Sequence, residues 1–190
     1  MLTPTQISHV QGSFAQVAPI ADAAAEMFYR RLFELDPTLS RLFKGDMKQQ
    51  GQKLMQMIGA AVRGLDDLAR LVPVVQQLGV RHNSYGVRPE HYDKVGAALL
   101  WTLEKGLGPA YPPEVRQAWT AVYGLLANTM RAAASSRAPP RSRRRSRNRC
   151  RSRLDVALIT GVGHRSTDPQ FNSFNGLVLI SSQVRQPGAM

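Results

Sequence analysis

The sequence predicts an all-α fold, one helical domain of about seven to eight helices over residues 1–134, on three observations. Apolar residues recur at spacings of three and four from Ile7 to Leu126, the period of a helix with one buried face. Strand-like alternation is absent before residue 150. Prolines stand where a first helical turn tolerates them, because the N–H that proline lacks has no intrahelical acceptor there. With 190 residues, 43% of them hydrophobic, the chain can bury one good core but hardly two.

Thr3, Pro4 and Gln6 combine an N-cap, a first-turn proline and a capping box, and Ile7, Val10, Phe14 and Val17 follow as one stripe. A second helix is expected from about Ile20 to Leu35, with Ala25, Phe28, Tyr29, Leu32 and Phe33 on one side and Glu26 and Arg30 on another. A short helix restarts at Pro37 and ends at Phe43. Gly45 then breaks the chain, and Asp46 with Gln49 opens a helix lasting to about Leu65. Pro73, Pro89 and the pair Pro112 and Pro113 read as first-turn prolines of three more helices. The stripes Tyr92, Val95, Leu99, Leu103 and Val115, Trp119, Val122, Leu126 describe the last two, joined by "GLGPAYPP".

Charge divides the chain. Residues 1–131 carry 14 Lys and Arg against 11 Asp and Glu, whereas the remaining 59 carry 11 Arg against 2 Asp. Most of the net charge of +12 therefore belongs to residues 135–190, a low-complexity tail expected to be disordered. Its stretch "RAPPRSRRRSRNRCRSR", residues 137–153, holds nine arginines and no aromatic residue. Such a run suits non-specific binding to polyanions better than selective recognition of RNA bases, and a reading-frame shift would produce similar text. "LDVALIT" and "GLVLISSQV" are expected as short strands. One cysteine, Cys150, offers neither an internal disulfide nor a paired metal ligand. With no apolar run of 18 residues and no leader-like N-terminus, a cytoplasmic protein is expected.

Three polar side chains fall on inward faces. Leu71, Val75, Leu78 and His82 step by four, three and four, so the imidazole points as the leucines do. Tyr29 sits among apolar residues, and Gln50 heads the stripe Leu54, Met57, Ala61. The ordinary readings are a core histidine bonded to a carbonyl, a tyrosine with a wetted tip and a capping glutamine. The sharper reading for His82 is a metal or cofactor ligand, since neutral imidazole is available near pH 7.

The order of these features, carried by "FYRRLFELDPTLSRLF", "DMKQQGQKLMQMIGAAV", "LGVRHNSYGVRPEHYDKVGAALLWTL" and "AWTAVYGLLANTM", resembles the single-domain bacterial globins. It is equally similar to the globin part of flavohaemoglobins, over residues 2 to about 131. The resemblance implies a globin fold around a haem b pocket, with His82 as the proximal iron ligand and Phe43 packed on the porphyrin. It makes Tyr29 and Gln50 the distal hydrogen-bond donors, with Leu54 as the apolar residue beside them. Tyr92 matches the tyrosine near the proximal imidazole, while Arg81 and Lys53 are candidates for the haem propionates or simply solvated charges. The family's proximal glutamate has no counterpart, since ungapped extension puts Ser136 there and residues 132–190 contain no Glu.

A diatomic ligand that gains electron density on binding is stabilised by donors aimed at it, by about 1.5–3 kcal/mol for each bond to a charged group. The implied function is therefore reversible dioxygen binding, as carrier or store, with NO and CO as further ligands. Nitric oxide detoxification as a dioxygenase would need a separate reductase, because no G-x-G-x-x-G motif opens a helix in the residues beyond 131. The rival classes are a gas sensor or interaction module of the same fold, and a nucleic-acid-binding protein led by its tail.

Overall fold

Thr3 opens the first helix as its sequence demands: the Thr3 hydroxyl accepts from the Gln6 N–H at 3.2 Å, and the Gln6 side chain accepts from the Thr3 N–H at 3.0 Å. This computed structural model describes residues 2–43 and 45–136. Within them run α1 (Pro4–Val17), α2 (Ala21–Leu35), α3 (Met47–Arg63), α4 (Leu68–Ser84), α5 (Pro89–Leu107) and α6 (Pro113–Ser136). Short 3-10 segments at Ala18–Ile20, Gly64–Asp66 and Gly108–Ala110 tighten three of the junctions. The expected helix at Pro37 is a 3-10 helix, Pro37–Leu42, which brings the helices longer than one turn to seven. No strand occurs among the described residues. The expected strands "LDVALIT" and "GLVLISSQV", the arginine run and Cys150 lie outside the described residues.

Pro73 does not open its helix. Asp67 caps α4 instead, its carboxylate accepting from the Arg70 N–H at 3.2 Å, and Pro73 sits inside the helix. An interior proline deprives the carbonyl four residues back of its partner. That carbonyl belongs to Ala69, and both residues are exposed, so water can take the missing place.

One core joins all six helices, with Val10, Val62, Leu71, Val75, Leu103, Trp119 and Val122 among its buried members. The Trp119 indole N–H donates to the Ser13 hydroxyl at 2.8 Å, and that hydroxyl donates to the His9 carbonyl at 2.7 Å, so these two buried side chains are paired. A smaller cluster of Phe28, Tyr29, Leu32, Leu39 and Ala98, with Phe33, Phe43, Leu54 and Val95 against it, lies between α2, α3 and α5. The helices meet closely where a glycine removes the side chain. A Cβ on Gly79 in α4 would lie 2.4 Å from the Met130 carbonyl oxygen of α6, and one on Gly51 in α3 would lie 2.9 Å from the Ala25 Cβ of α2.

Candidate functional site

The last two turns of α4 carry His82, half-buried at the end of the stripe that begins with Leu71. Its Nδ1 lies 2.8 Å from the Leu78 carbonyl oxygen. A carbonyl can only accept, so Nδ1 bears the proton and Nε2 keeps its lone pair for a ligand. Burial lowers the imidazole's pKa, which favours that neutral form. The helix end is fastened at the same residue: the N–H groups of Tyr85 and Val87 both donate to the His82 carbonyl, at 3.1 and 3.0 Å.

Tyr92, buried on α5, stands beside His82 with ring centroids 6.2 Å apart. The Tyr123 hydroxyl of α6 donates to the Tyr92 carbonyl, and the Arg131 guanidinium lies 5.4 Å from the centre of the Tyr92 ring. Arg131 also donates to the Pro89 carbonyl at 3.1 Å and to the Asp93 carboxylate. Ser136, put at the family's glutamate position by ungapped extension, is exposed and bonds its own helix at the Ala133 carbonyl. The group that α6 sets against the Tyr92 ring is thus a cation, beside the Tyr123 hydroxyl on the Tyr92 carbonyl.

On α2, Tyr29 is buried within an aromatic cluster. Its ring meets Phe28 edge-on at 5.1 Å and Phe43 edge-on at 5.2 Å, and lies 5.9 Å from Phe33. Burial pushes the Tyr29 hydroxyl up to about 12, so it remains a protonated donor at any physiological pH. Its partner is the main-chain carbonyl of Gln50 at 3.4 Å, long for such a bond. Gln50 therefore meets Tyr29 through its backbone, and its half-buried side chain makes no hydrogen bond among the described residues. Leu54, one turn further along α3, packs into the same cluster. Lys53 and Arg81 are half-buried, and neither forms an ion pair among the described residues.

A small apolar cavity of about 10 Å³ opens between α1, α2, α3 and α5, bordered by Phe14, Phe28, Leu54, Ile58 and Leu99. Neither His82 nor Tyr29 lines it. Among the described residues no group of three or more His, Cys, Asp or Glu side chains converges as a metal site. A lone imidazole with a free Nε2 fits an ion that brings its other ligands with it, as the iron of a haem does.

Spacing put His82, Tyr29 and Tyr92 on inward faces, and the structure buries Tyr29 and Tyr92 and half-buries His82. Spacing missed Arg131, Asp93 and Tyr123, which act through side chains reaching between helices. The one available signal was Arg131 itself, a cation at steps of four from Tyr123 and Ala127 on α6.

A family model described as Globin matches residues 26–130. A flavohemoprotein of Vibrio cholerae is 32% identical over 130 residues, 67% of this chain and 33% of that protein. A neuroglobin of Danio rerio is 37% identical over 118 residues, 55% of this chain and 74% of that protein. Among solved structures, an engineered carbene transferase made from a Rhodothermus marinus protein named as a nitric oxide dioxygenase superposes with a TM-score of 0.64 at 25% identity, covering 72% of this chain and 95% of that one. The chain spans about a third of the length of the flavohemoprotein it matches.

Proposed function

This chain belongs to the globin family, whose members bind haem and diatomic gases, and from that premise we propose that it holds haem b through His82 and binds dioxygen reversibly, as a carrier or store. The observation that supports this most is the state of His82: Nδ1 is committed to the Leu78 carbonyl, the ring is kept neutral and Nε2 is left available. The haem would supply an iron with one further axial position for a gas. The chain's own residues do the rest. Phe43 and Leu54 supply apolar walls, and Tyr29 supplies a proton donor inside them. The Tyr29 hydroxyl is tied to the Gln50 carbonyl only by a long bond, so it can turn to an incoming ligand at little cost. The Gln50 amide, with no competing partner among the described residues, is a second donor. Lys53 and Arg81, unpaired among the described residues, are suited to haem propionates.

The test is a reconstitution of the full chain with haem followed by absorption spectroscopy under dioxygen. A stable, reversible oxygenated spectrum is the expected result; no haem spectrum, or immediate oxidation to the ferric form, overturns the reading.

Nitric oxide dioxygenation is a second reading, favoured by the likeness to flavohemoproteins and to the Rhodothermus protein. It consumes one electron for each NO and O2 converted to nitrate, so it requires a reductase as electron donor. Turnover of NO by the haem-loaded chain with an added flavin reductase separates the two. The arginine run 137–153, by its composition, further suits non-specific polyanion binding. Removing residues 137–190 should abolish retention on a polyanion resin at low salt and leave the haem spectrum intact.

A further inference from the structure

The contact between Arg131 and Tyr92 has no role in holding a haem or a gas, yet it is built with care. The guanidinium lies 5.4 Å from the ring centre, and its Nη2 donates to both the Pro89 carbonyl and the Asp93 carboxylate. The Arg131 side chain is 30% exposed, its Nε is buried without a partner among the described residues, and the Asp93 side chain is 77% exposed. The positive member of the pair is thus the shielded one, and water screens the negative member more strongly.

Resting on the reading of His82 as the haem ligand, we propose that Arg131 is a positioning residue whose charge, set by its pairing with Asp93, raises the reduction potential of a haem held by His82. The Tyr92 ring neighbours both groups, 6.2 Å from the imidazole and 5.4 Å from the guanidinium. That places the cation within about 12 Å of the imidazole, where a partly buried charge still acts through low-dielectric protein. Ferric haem carries one more positive charge than ferrous haem, so a nearby fixed cation disfavours the ferric form. A carboxylate hydrogen-bonded to the proximal histidine would strengthen electron donation and do the opposite. The arrangement favours keeping iron reduced and ready for gas over pushing electrons into a bound ligand.

The experiment is an equilibrium redox titration of the haem-loaded full chain, read by absorbance, with Arg131→Met, Arg131→Lys and Asp93→Asn. At a fixed potential near the midpoint, Arg131→Met should raise the ferric-to-ferrous ratio by about threefold or more. Asp93→Asn, which removes the counter-charge at an exposed site and leaves Arg131 in place, should lower it by about twofold. Arg131→Lys should stay near the parent. A midpoint that ignores both Arg131→Met and Asp93→Asn, or moves the same way in both, overturns the proposal. So does Arg131→Lys behaving as Arg131→Met, since the planar clamp on Tyr92 would then matter and the charge would not. Should Arg131→Met fail to fold, the sign of the Asp93→Asn shift still decides. A chain that takes up no haem removes the reading of His82 itself, and this proposal with it.

Discussion

The two halves of the candidate site, around His82 and around Tyr29, are held together differently. Around His82, the side-chain and backbone contacts are short and directed: the ring to Leu78, the helix end to Tyr85 and Val87, Tyr92 to Tyr123, and Arg131 to both Pro89 and Asp93. Around Tyr29, four aromatic rings pack edge-on or tilted, and among the described residues the Tyr29 hydroxyl makes one hydrogen bond, the long contact to Gln50. Directed bonds fix an orientation, whereas ring packing fixes a volume and leaves a polar tip free to be re-aimed. The difference teaches a division of labour: α4, α5 and α6 hold the His82 ring still, while α2 and α3 leave the Tyr29 hydroxyl free to be re-aimed.

If that division is right, breaking the fixed side should have the largest effect. His82→Ala should abolish the haem spectrum on reconstitution, with far-UV circular dichroism close to the parent's, because the ring is half-buried and contributes modestly to the core. A parent-like spectrum in that variant would remove His82 from the site. On the responsive side, Tyr29→Phe keeps the ring and its packing and deletes the donor. Stopped-flow measurement should show dioxygen leaving at least about tenfold faster, since roughly 1.4 kcal/mol is one decade in rate. CO dissociation should change less, because CO gains less charge. Equal changes for both gases would mean that Tyr29 acts through shape alone.

The comparison sharpens at the helix crossings. Gly79→Ala forces a Cβ against the Met130 backbone, and overpacking of that kind costs about 1–3 kcal/mol, readable as a lower urea midpoint. Because His82 lies three residues further along α4, haem loss should accelerate in the same variant. The smallest effect is expected at Asp36, which joins the end of α2 to Lys94 of α5. The Lys94 ammonium first, and the Thr38 hydroxyl next, hold the Asp36 carboxyl down at about 2. A carboxyl with a depressed folded-state pKa stabilises the fold above its unfolded value near 3.8, and that contribution is lost as the pH falls through about 2. Asp36→Asn should therefore lower the Tm at pH 7, with the gap from the parent closing between about pH 4 and 2. A gap that stays constant down to pH 2 would assign the effect to the Thr38 cap alone.

The helices were legible because stripes and caps agree with one another. Thr3 and Asp46 behave as their neighbours foretell. Pro73 misled because two signals compete in "DDLARLVP", and the aspartate cap outweighs one missing interior bond when water can reach the freed carbonyl. His82 and Tyr29 stood out as polar groups on apolar faces. The link between Gln50 and Tyr29 was invisible because it runs through a main-chain carbonyl, which every residue possesses. Arg131 escaped because spacing along one helix reports which way a side chain points and nothing about what a long one reaches. Ser136 shows the same limit from the other side: ungapped extension names a position, and the α5–α6 junction decides where that position ends up.

The glycines at the crossings also bear on how such a molecule can drift through generations. At Gly96 a Cβ would meet the Tyr123 ring at 2.6 Å, so a smaller residue at 123 could make room, and the two positions can change as a pair. At Gly79 the obstruction is the Met130 main chain, its carbonyl oxygen, Cα and carbonyl carbon all within 2.8 Å. No substitution in α6 removes a backbone. One glycine is therefore open to epistatic rescue by its neighbour and the other is not, and the closed route is the one on the helix that carries His82.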